Sequence, residues 1–164
     1  MMLFYLNTRL VAAAFAAALV LAPVAVLAVG GSDGPSSPSA TAKDSPYAIA
    51  EKAIQAKDYK RAIAILEDVL RDDPKHADAL NYLGYGHRQL GDFDKALAFY
   101  NRALEIKPDH RGAHEYLGEL YLQMGKLEKA EEHLARLDKI CFFSCEEFSE
   151  LKKAIQTYKA SHSG

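Results

Sequence analysis

Two cysteines, Cys141 and Cys145, are the residues whose type and spacing suggest chemistry most directly. They lie in the stretch DKICFFSCEE and are the only cysteines of the chain. Four interpretations remain open: a structural disulfide, two reduced core residues, a redox-active thiol pair, or two ligands for Cu(I). We favour the disulfide, because a turn can bring two Cα atoms within the roughly 4.4–6.8 Å that a bridge requires. The spacing is not C-x-x-C, and a closed zinc site needs four ligands.

Two histidines, His110 and His114, form an H-x-x-x-H pattern that could supply metal ligands. His110, however, repeats the position of His76, just after a proline and one further residue, which is typical of a loop. Only His114 occupies a position that is usually apolar. We therefore predict no metal site and no cofactor. The absence of a nucleophile–base spacing also predicts that the protein is not an enzyme.

The first 28 residues have the composition of a signal peptide. A short start with one basic residue, Arg9, precedes an uncharged apolar run, and Ala28 ends a plausible cleavage site. The alternative is an uncleaved inner-membrane anchor over residues 10–29. Residues 29–42 are rich in Gly, Ser and Pro and are expected to be a disordered linker. Either interpretation predicts export, with the folded part in the periplasm, where disulfides can form.

The charge of the chain excludes one broad class of partner. The formal net charge is −2, and 26% of the 164 residues are charged. A general nucleic-acid-binding protein would carry a basic face. We therefore expect no nucleic acid, and membrane contact only if the N-terminal segment is uncleaved.

From Lys43 onward the sequence repeats with a period of 34 residues. Ala62, Ala96 and Ala130 are spaced by this period, as are Gly84 and Gly118. The period divides the chain into three segments, 43–76, 77–110 and 111–144. Each contains two runs with apolar residues at helical spacing, which predicts a helical hairpin. The small residues should lie where helices approach closely. One hairpin cannot bury its own apolar face, so the three must stack.

A single amphipathic helix over 145–160 is predicted to cap the stack. Its apolar stripe would cover the last hairpin and its charged face would meet water. Ser144 and Glu147 fit a capping box, which would start this helix at residue 145. Phe142 and Phe143 are expected to insert between the third hairpin and the cap. The stripe consists of Phe148, Leu151, Ile155 and Tyr158.

The middle segment resembles the tetratricopeptide repeat family. The residues that carry the resemblance are Leu80, Leu83, Gly84, Ala96, Tyr100, Ala103 and Pro108. His87 departs from the pattern, because it fills a position that is normally aromatic. The resemblance extends over residues 43–144. It implies an all-α fold: a right-handed superhelical stack of three hairpins with a C-terminal capping helix.

The resemblance also implies a partner-binding groove along the first helix of each hairpin. One branch of the family captures a C-terminal carboxylate with Lys and Asn at set positions. Those positions here are Tyr47, Glu51, Tyr82, Gly112 and Tyr116, so this clamp is absent. The charges instead predict a neutral or basic partner with aliphatic or aromatic anchors. The groove residues implied are Tyr47, Glu51, Ile54, Gln55, Asp78, Asn81, Tyr85, Arg88, Gln89, Glu115, Glu119, Leu122 and Gln123.

The sequence therefore predicts a non-catalytic scaffold of the bacterial periplasm or cell envelope that binds a protein or peptide. One alternative is a thiol-redox or Cu(I)-handling protein that uses Cys141 and Cys145. It predicts a reactive cysteine pair, whereas the scaffold predicts an unreactive one. Another alternative is self-association, which predicts a concentration-dependent mass. The identity of the partner does not follow from the repeats.

Overall fold

A computed structural model describes residues 44–162 of the chain. The signal peptide and the linker predicted from the sequence both lie outside these residues. Within the described range the secondary structure consists of seven α-helices and no strand. The helices are α1 (Pro46–Gln55), α2 (Tyr59–Asp72), α3 (Ala77–Gln89), α4 (Phe93–Ile106), α5 (Arg111–Gln123), α6 (Leu127–Ile140) and α7 (Glu146–Ser161).

Side chains that accept backbone hydrogen bonds fix where most of the helices begin. Ser45, Asp58 and Asp92 each accept a bond from the backbone N–H three residues ahead. His76 and His110 do the same with Nδ1, at 3.2 and 3.1 Å. Such caps satisfy N–H groups that have no partner inside the helix. The two histidines are therefore helix caps, a role that their interpretation as ordinary loop residues missed.

The turn within each hairpin contains one residue with positive φ. Gly91 and Gly125 have φ of 80° and 74°, where glycine carries no steric penalty, and Lys57 has φ of 59°. Each of these residues directly follows the C-cap residue of the first helix of its hairpin, and the chain reverses there. The predicted helix–turn–helix units are thereby confirmed.

The core lies between two layers of helices. The odd-numbered helices α1, α3, α5 and α7 form one layer, and α2, α4 and α6 pack against it. Gly84 allows Tyr100 of α4 to approach, because a Cβ at residue 84 would lie 2.6 Å from the Tyr100 ring. Gly118 has the same relation to Leu151 of α7, again at 2.6 Å. The expected close approach at both glycines is confirmed, although at Gly118 the neighbour is the capping helix.

Helix α7 closes the stack as predicted. Leu151 and Ile155 are buried, and Phe148 and Tyr158 pack around them against α5 and α6. Because α7 lies beside α5 in the same layer, it occupies the place of the first helix of a further hairpin. The stack of three hairpins and a cap is confirmed.

Two details of the α6–α7 connection differ from the sequence prediction. The capping box is wrong: Ser144 has φ of 76°, Cys145 is the N-cap residue, and α7 begins at Glu146. The predicted insertion of Phe142 and Phe143 is also wrong, because these side chains are 92% and 93% exposed. Both residues lie on the short loop that leaves α6, and this loop projects away from the core.

Among residues 44–162, no helix combines the length and the apolar character that crossing a bilayer requires.

Candidate functional site

The surface formed by α1, α3, α5 and α7, here called the inner face, contains two hollows. The acidic recess has a volume of about 350 Å³ and the mixed hollow one of about 670 Å³. The acidic recess is lined by Tyr47, Asp78, Asn81, Tyr82, His110, Gly112, Glu115, Tyr116, Glu146, Glu147 and Glu150. The mixed hollow is lined by Arg88, Glu119, Leu122, Gln123, Glu150, Lys153, Ala154, Thr157, Tyr158, Ser161 and His162.

The acidic recess concentrates negative charge that its surroundings compensate only in part. Asp78 Oδ1 lies 2.9 Å from Nε2 of His110, and Glu147 Oε1 lies 3.7 Å from Nε of Arg111. No ion pair of residues 44–162 includes Glu115. Burial raises the pKa of the Glu115 carboxyl to about 8, and the nearby carboxylates of Glu119 and Glu147 add to the shift. The recess therefore favours positive charge.

Aromatic rings form the remaining wall of the acidic recess. The Tyr47 and Tyr82 rings are 6.0 Å apart between centroids, and the Tyr116 side chain on α5 lines the same recess. Burial, with Glu51 as a further cause, raises the pKa of the Tyr47 and Tyr82 hydroxyls. These hydroxyls therefore stay protonated and neutral at physiological pH.

Asn81, at the floor of the acidic recess, has an unsatisfied polar atom. Its side chain is buried, with 5% of its surface exposed, and Oδ1 has no hydrogen-bond partner among the described residues. A buried acceptor without a donor costs free energy, on the order of 1–3 kcal/mol. An incoming donor would remove that cost.

The mixed hollow is organised around a buried arginine. Arg88 is 6% exposed, and its Nη2 lies 2.7 Å from Oε2 of Glu119. Its guanidinium carbon lies 5.3 Å from the Tyr85 ring centroid and 5.7 Å from that of Tyr116. Cations are attracted to such ring faces. Arg88 is thus held by one carboxylate and two tyrosines of its own chain, and it is not a free cation of the groove.

The residues predicted for the groove fall into three groups. Tyr47, Asp78, Asn81 and Glu115 line the acidic recess. Arg88, Glu119, Leu122 and Gln123 line the mixed hollow. Glu51, Ile54, Gln55, Tyr85 and Gln89 line neither, although Tyr85 packs against Arg88 between the two. Their role in binding a partner stays a prediction.

Sequence reasoning missed the contribution of α7 to this surface. Glu146, Glu147 and Glu150 all line the acidic recess, whereas the sequence analysis expected the charged face of this helix only to meet water. The sequence feature that could have revealed these residues is the cluster of acidic residues in the first turns of a helix that packs against α5. Tyr82, Gly112 and Tyr116 also line the recess, at the positions where the absent clamp would have placed Lys and Asn.

The cysteine loop lies between α6 and α7. The sulfur atoms of Cys141 and Cys145 are 2.03 Å apart, and their Cα atoms are 5.7 Å apart. This separation fits the range that a disulfide requires, and the pairing itself stays a prediction. Within residues 44–162, no three His, Cys, Asp or Glu side chains converge as metal ligands would.

The two histidines of the H-x-x-x-H pattern point to separate partners. His110 caps α5, whereas His114 is buried and its Nδ1 lies 2.8 Å from Nδ1 of His133 on α6. The Nε2 of His114 lies 3.0 Å from the Pro108 carbonyl oxygen, so it is the donor there. His133 Nδ1 must then donate to His114. Burial, with His114 as a further cause, lowers the pKa of His133 to about 4.

Comparison with known protein families assigns the repeats. Two family models, both described as tetratricopeptide repeat, match residues 47–111 and 87–159, which together span all seven helices. The chain belongs to the tetratricopeptide repeat family. A search of curated proteins finds no significant relative.

Solved structures of tetratricopeptide repeat domains share the fold of this chain. The Yersinia enterocolitica type III secretion chaperone SycD, in complex with a peptide of the translocator YopD, is 21% identical with a TM-score of 0.61, over 71% of this chain and 88% of that one. The first TPR of Spaghetti (RPAP3), bound to the HSP90 peptide SRMEEVD, is 20% identical with a TM-score of 0.60, over 68% of this chain and 89% of that one.

An enzyme also contains a similar stack. An O-GlcNAc transferase of Thermobaculum terrenum is 23% identical with a TM-score of 0.62, over 67% of this chain. Only 21% of the transferase chain takes part in the match. At these identities the likeness concerns the fold of the tetratricopeptide repeats.

Proposed function

We propose that this tetratricopeptide repeat protein is a non-catalytic adaptor of the bacterial periplasm or cell envelope that binds an extended segment of a partner along its inner face. The observation that carries the proposal is the pair of hollows along α1, α3, α5 and α7. Rigid helices with a concave, partly apolar surface suit peptide recognition. The structurally similar SycD and RPAP3 domains were solved with bound peptides.

The charge of the inner face supports a neutral or basic partner. Five carboxylates line the acidic recess, and neither Lys nor Arg does. Complementary charge raises association rates and excludes acidic segments. Partner segments should therefore be neutral or basic, with aliphatic or aromatic anchors.

Peptide display against the full-length protein tests this function. Selected peptides should be neutral or basic rather than acidic, and charge reversal at Glu115 and Glu119 should weaken the binding of the basic ones and flatten its salt dependence. The matched control is Glu105→Arg on α4, which changes an exposed carboxylate outside both hollows. Failure to select any peptide, or equal losses in the control, would overturn the proposal.

Export and the state of the cysteines form a second part of the proposal. We expect mature protein that starts at Val29, with Cys141 and Cys145 joined as a structural disulfide. The intact mass of protein from its native envelope, before and after reduction and alkylation, tests both points. Full-length protein would indicate a membrane anchor. Readily alkylated thiols would favour the thiol or Cu(I) function.

Self-association makes a separate prediction about mass. A second copy bound through the repeats would give a mass in solution that rises with concentration. Light scattering over a wide concentration range distinguishes a monomeric adaptor from a self-assembling one.

A further inference from the structure

We propose that the acidic recess holds one cationic side chain, that of a lysine or an arginine, from the bound partner segment. The proposal rests on the function proposed above, because the cation belongs to the segment that the inner face binds. It goes further in naming the part of the partner that is recognised and the residues that recognise it.

The dimensions and lining of the acidic recess fit such a group. Its volume of about 350 Å³ lies at the small end of ligand sites, which span roughly 300–1,000 Å³. Glu115 reaches it from α5, and Glu146, Glu147 and Glu150 reach it from α7. Carboxylates from two helices therefore surround one space, and any charge placed there interacts with all of them.

The chain's own cations leave the recess undercompensated. Arg111 approaches only Glu147, at 3.7 Å, and its side chain is 53% exposed. His110 Nε2 contacts Asp78, while its Nδ1 is occupied by the Ala113 N–H. Lys153 lies 3.9 Å from Glu150 and lines the mixed hollow. None of these groups forms an ion pair with Glu115, and Arg88, which favours its ionised form, is paired with Glu119.

Asn81 gives a second, independent indication of a ligand. Its Oδ1 is an acceptor, is buried, and lacks a donor among the residues of the described chain. Buried acceptors of this kind are normally satisfied. Ammonium and guanidinium groups carry several N–H donors and no acceptor. A cation in the recess would therefore satisfy Asn81 and the carboxylates together, which an anionic or purely apolar group cannot do.

The chain already binds one cation in this way. Arg88 is held by the Glu119 carboxylate and by the faces of Tyr85 and Tyr116. The acidic recess offers the same combination, with Glu115 as carboxylate and with Tyr47, Tyr82 and Tyr116 as rings. Tyr116 takes part in both. The recess thus repeats the arrangement that surrounds Arg88, but neither Lys nor Arg of the described residues lines it.

The ionisation of Glu115 links this binding to pH. Burial, with Glu119 and Glu147 as further causes, raises the Glu115 pKa to about 8, whereas Arg88 acts in the opposite direction. The other charged or titratable groups of the recess are Asp78 of α3, His110 at the start of α5, and Glu146 and Glu150 of α7, and Arg111 approaches the recess through Glu147. A bound cation favours ionised Glu115. Affinity for a cation should therefore rise between pH 6 and pH 8.

Nuclear magnetic resonance titration of the full-length protein tests the recess directly. The probes are N-acetyl-L-arginine amide and N-acetyl-L-lysine amide, and N-acetyl-L-citrulline amide is the uncharged control. The two cations should shift the Gly112 amide signal saturably and citrulline should not. Comparison of the two cations shows whether the recess prefers guanidinium or ammonium. Equal shifts with citrulline, or no shift at Gly112, would overturn the proposal.

Two variants separate the recess from the rest of the surface. Glu115→Gln should weaken binding of the cationic probes about tenfold and remove the rise in affinity with pH. Glu105→Gln removes the same charge from α4 and should leave both unchanged. Equal effects of the two substitutions would show only a general attraction to an acidic protein and would overturn the proposal.

The same experiments distinguish this inference from the proposed function. Peptides that bind the inner face equally well when their Lys and Arg are replaced by citrulline or norleucine would support the function and overturn the cation site. Probe binding without any selectable peptide would support a site for small free cations and overturn the peptide-binding function. Basic peptides that lose affinity in Glu115→Gln would support both.

Discussion

The two hollows of the inner face share helices α3, α5 and α7 but differ in how their charges are balanced. In the mixed hollow, Arg88 is buried against Glu119 and Lys153 lies near Glu150. In the acidic recess, Glu115 has no ion pair within the described residues, and carboxylates crowd around it. The difference shows that a single internal arginine can balance the negative charge in one part of a repeat surface while the neighbouring part keeps its negative charge.

Removing that arginine should have the largest effect. Arg88→Ala would leave Glu119 without its partner and open a space between Tyr85 and Tyr116, so we expect a loss of about 3 kcal/mol in the free energy of unfolding. Urea denaturation measures it. Adding Glu119→Gln should restore part of the loss. Arg61→Ala, at an exposed position of α2, should change stability by less than about 0.5 kcal/mol; a similar loss there would contradict this view of Arg88.

Acid should lower the stability of the fold through His133 of α6, which contacts His114 of α5. His133 is neutral in the fold because its pKa is lowered to about 4, whereas an unfolded histidine titrates near 6.5. The unfolded state thus binds more protons between these values, and stability should fall by about 2 kcal/mol from pH 6.5 to pH 4. His133→Asn keeps a donor for His114 without titrating, so its acid loss should be smaller. Thermal unfolding over this pH range checks the prediction, and identical profiles would refute it.

Glu115 of α5 should make the stability depend on pH in the opposite sense. Its pKa is about 8 in the fold and 4.5 without the fold's influence, so the native state binds more protons between these values. Wild-type stability should therefore fall as pH rises from 4.5 to 8. Glu115→Gln carries no ionisable group at this position and should be more stable than the wild type by about 1 kcal/mol at pH 7.5, after allowance for solvent screening. Chemical denaturation at pH 5 and pH 7.5 tests it; a variant less stable than wild type at pH 7.5 would show that Glu115 is compensated.

The smallest effect on stability should come from Lys153. Its ion pair with Glu150 spans 3.9 Å between exposed side chains, so Lys153→Ala should cost less than about 0.5 kcal/mol. Glu150 borders both hollows, however, and loss of Lys153 would extend the negative region. Binding of basic peptides should strengthen while stability stays constant. Unchanged binding would mean that the two hollows act independently of their shared carboxylate, and weaker binding would mean that Lys153 itself contributes to peptide binding.

The fold could be predicted because the residues that recur with the 34-residue period are the ones at which helices pack together. A recurring glycine or alanine marks where two helices meet, and Gly84 beneath Tyr100 and Gly118 beneath Leu151 show the reason. The same reasoning failed at Phe142 and Phe143, since it equated apolar character with burial. The two Cα atoms that flank this loop are 5.7 Å apart, and the residues between them protrude.

The site could be predicted only in part, because it depends on how helices face one another. The residues of α1, α3 and α5 follow from repeat position, and Tyr47, Asp78, Asn81 and Glu115 do meet in the acidic recess. Glu147 and Glu150 could not be placed, since amphipathicity does not distinguish a carboxylate in water from one at the rim of a hollow. Nor does the sequence show that Arg88 forms an ion pair with Glu119 inside the protein.

The placement of α7 couples recognition to the order of the chain's last helix. Leu151 anchors α7 on Gly118, and the same helix supplies Glu146, Glu147 and Glu150 to the acidic recess. Helix α7 packs only on α5 and α6 among the described helices, and helices with few packing partners open locally more readily. When α7 detaches, the recess loses three of its five carboxylates, so a ligand that spans α5 and α7 must stabilise the closed state. Amide hydrogen exchange in α7 should therefore slow when a basic segment binds, even though most of the helix does not touch it.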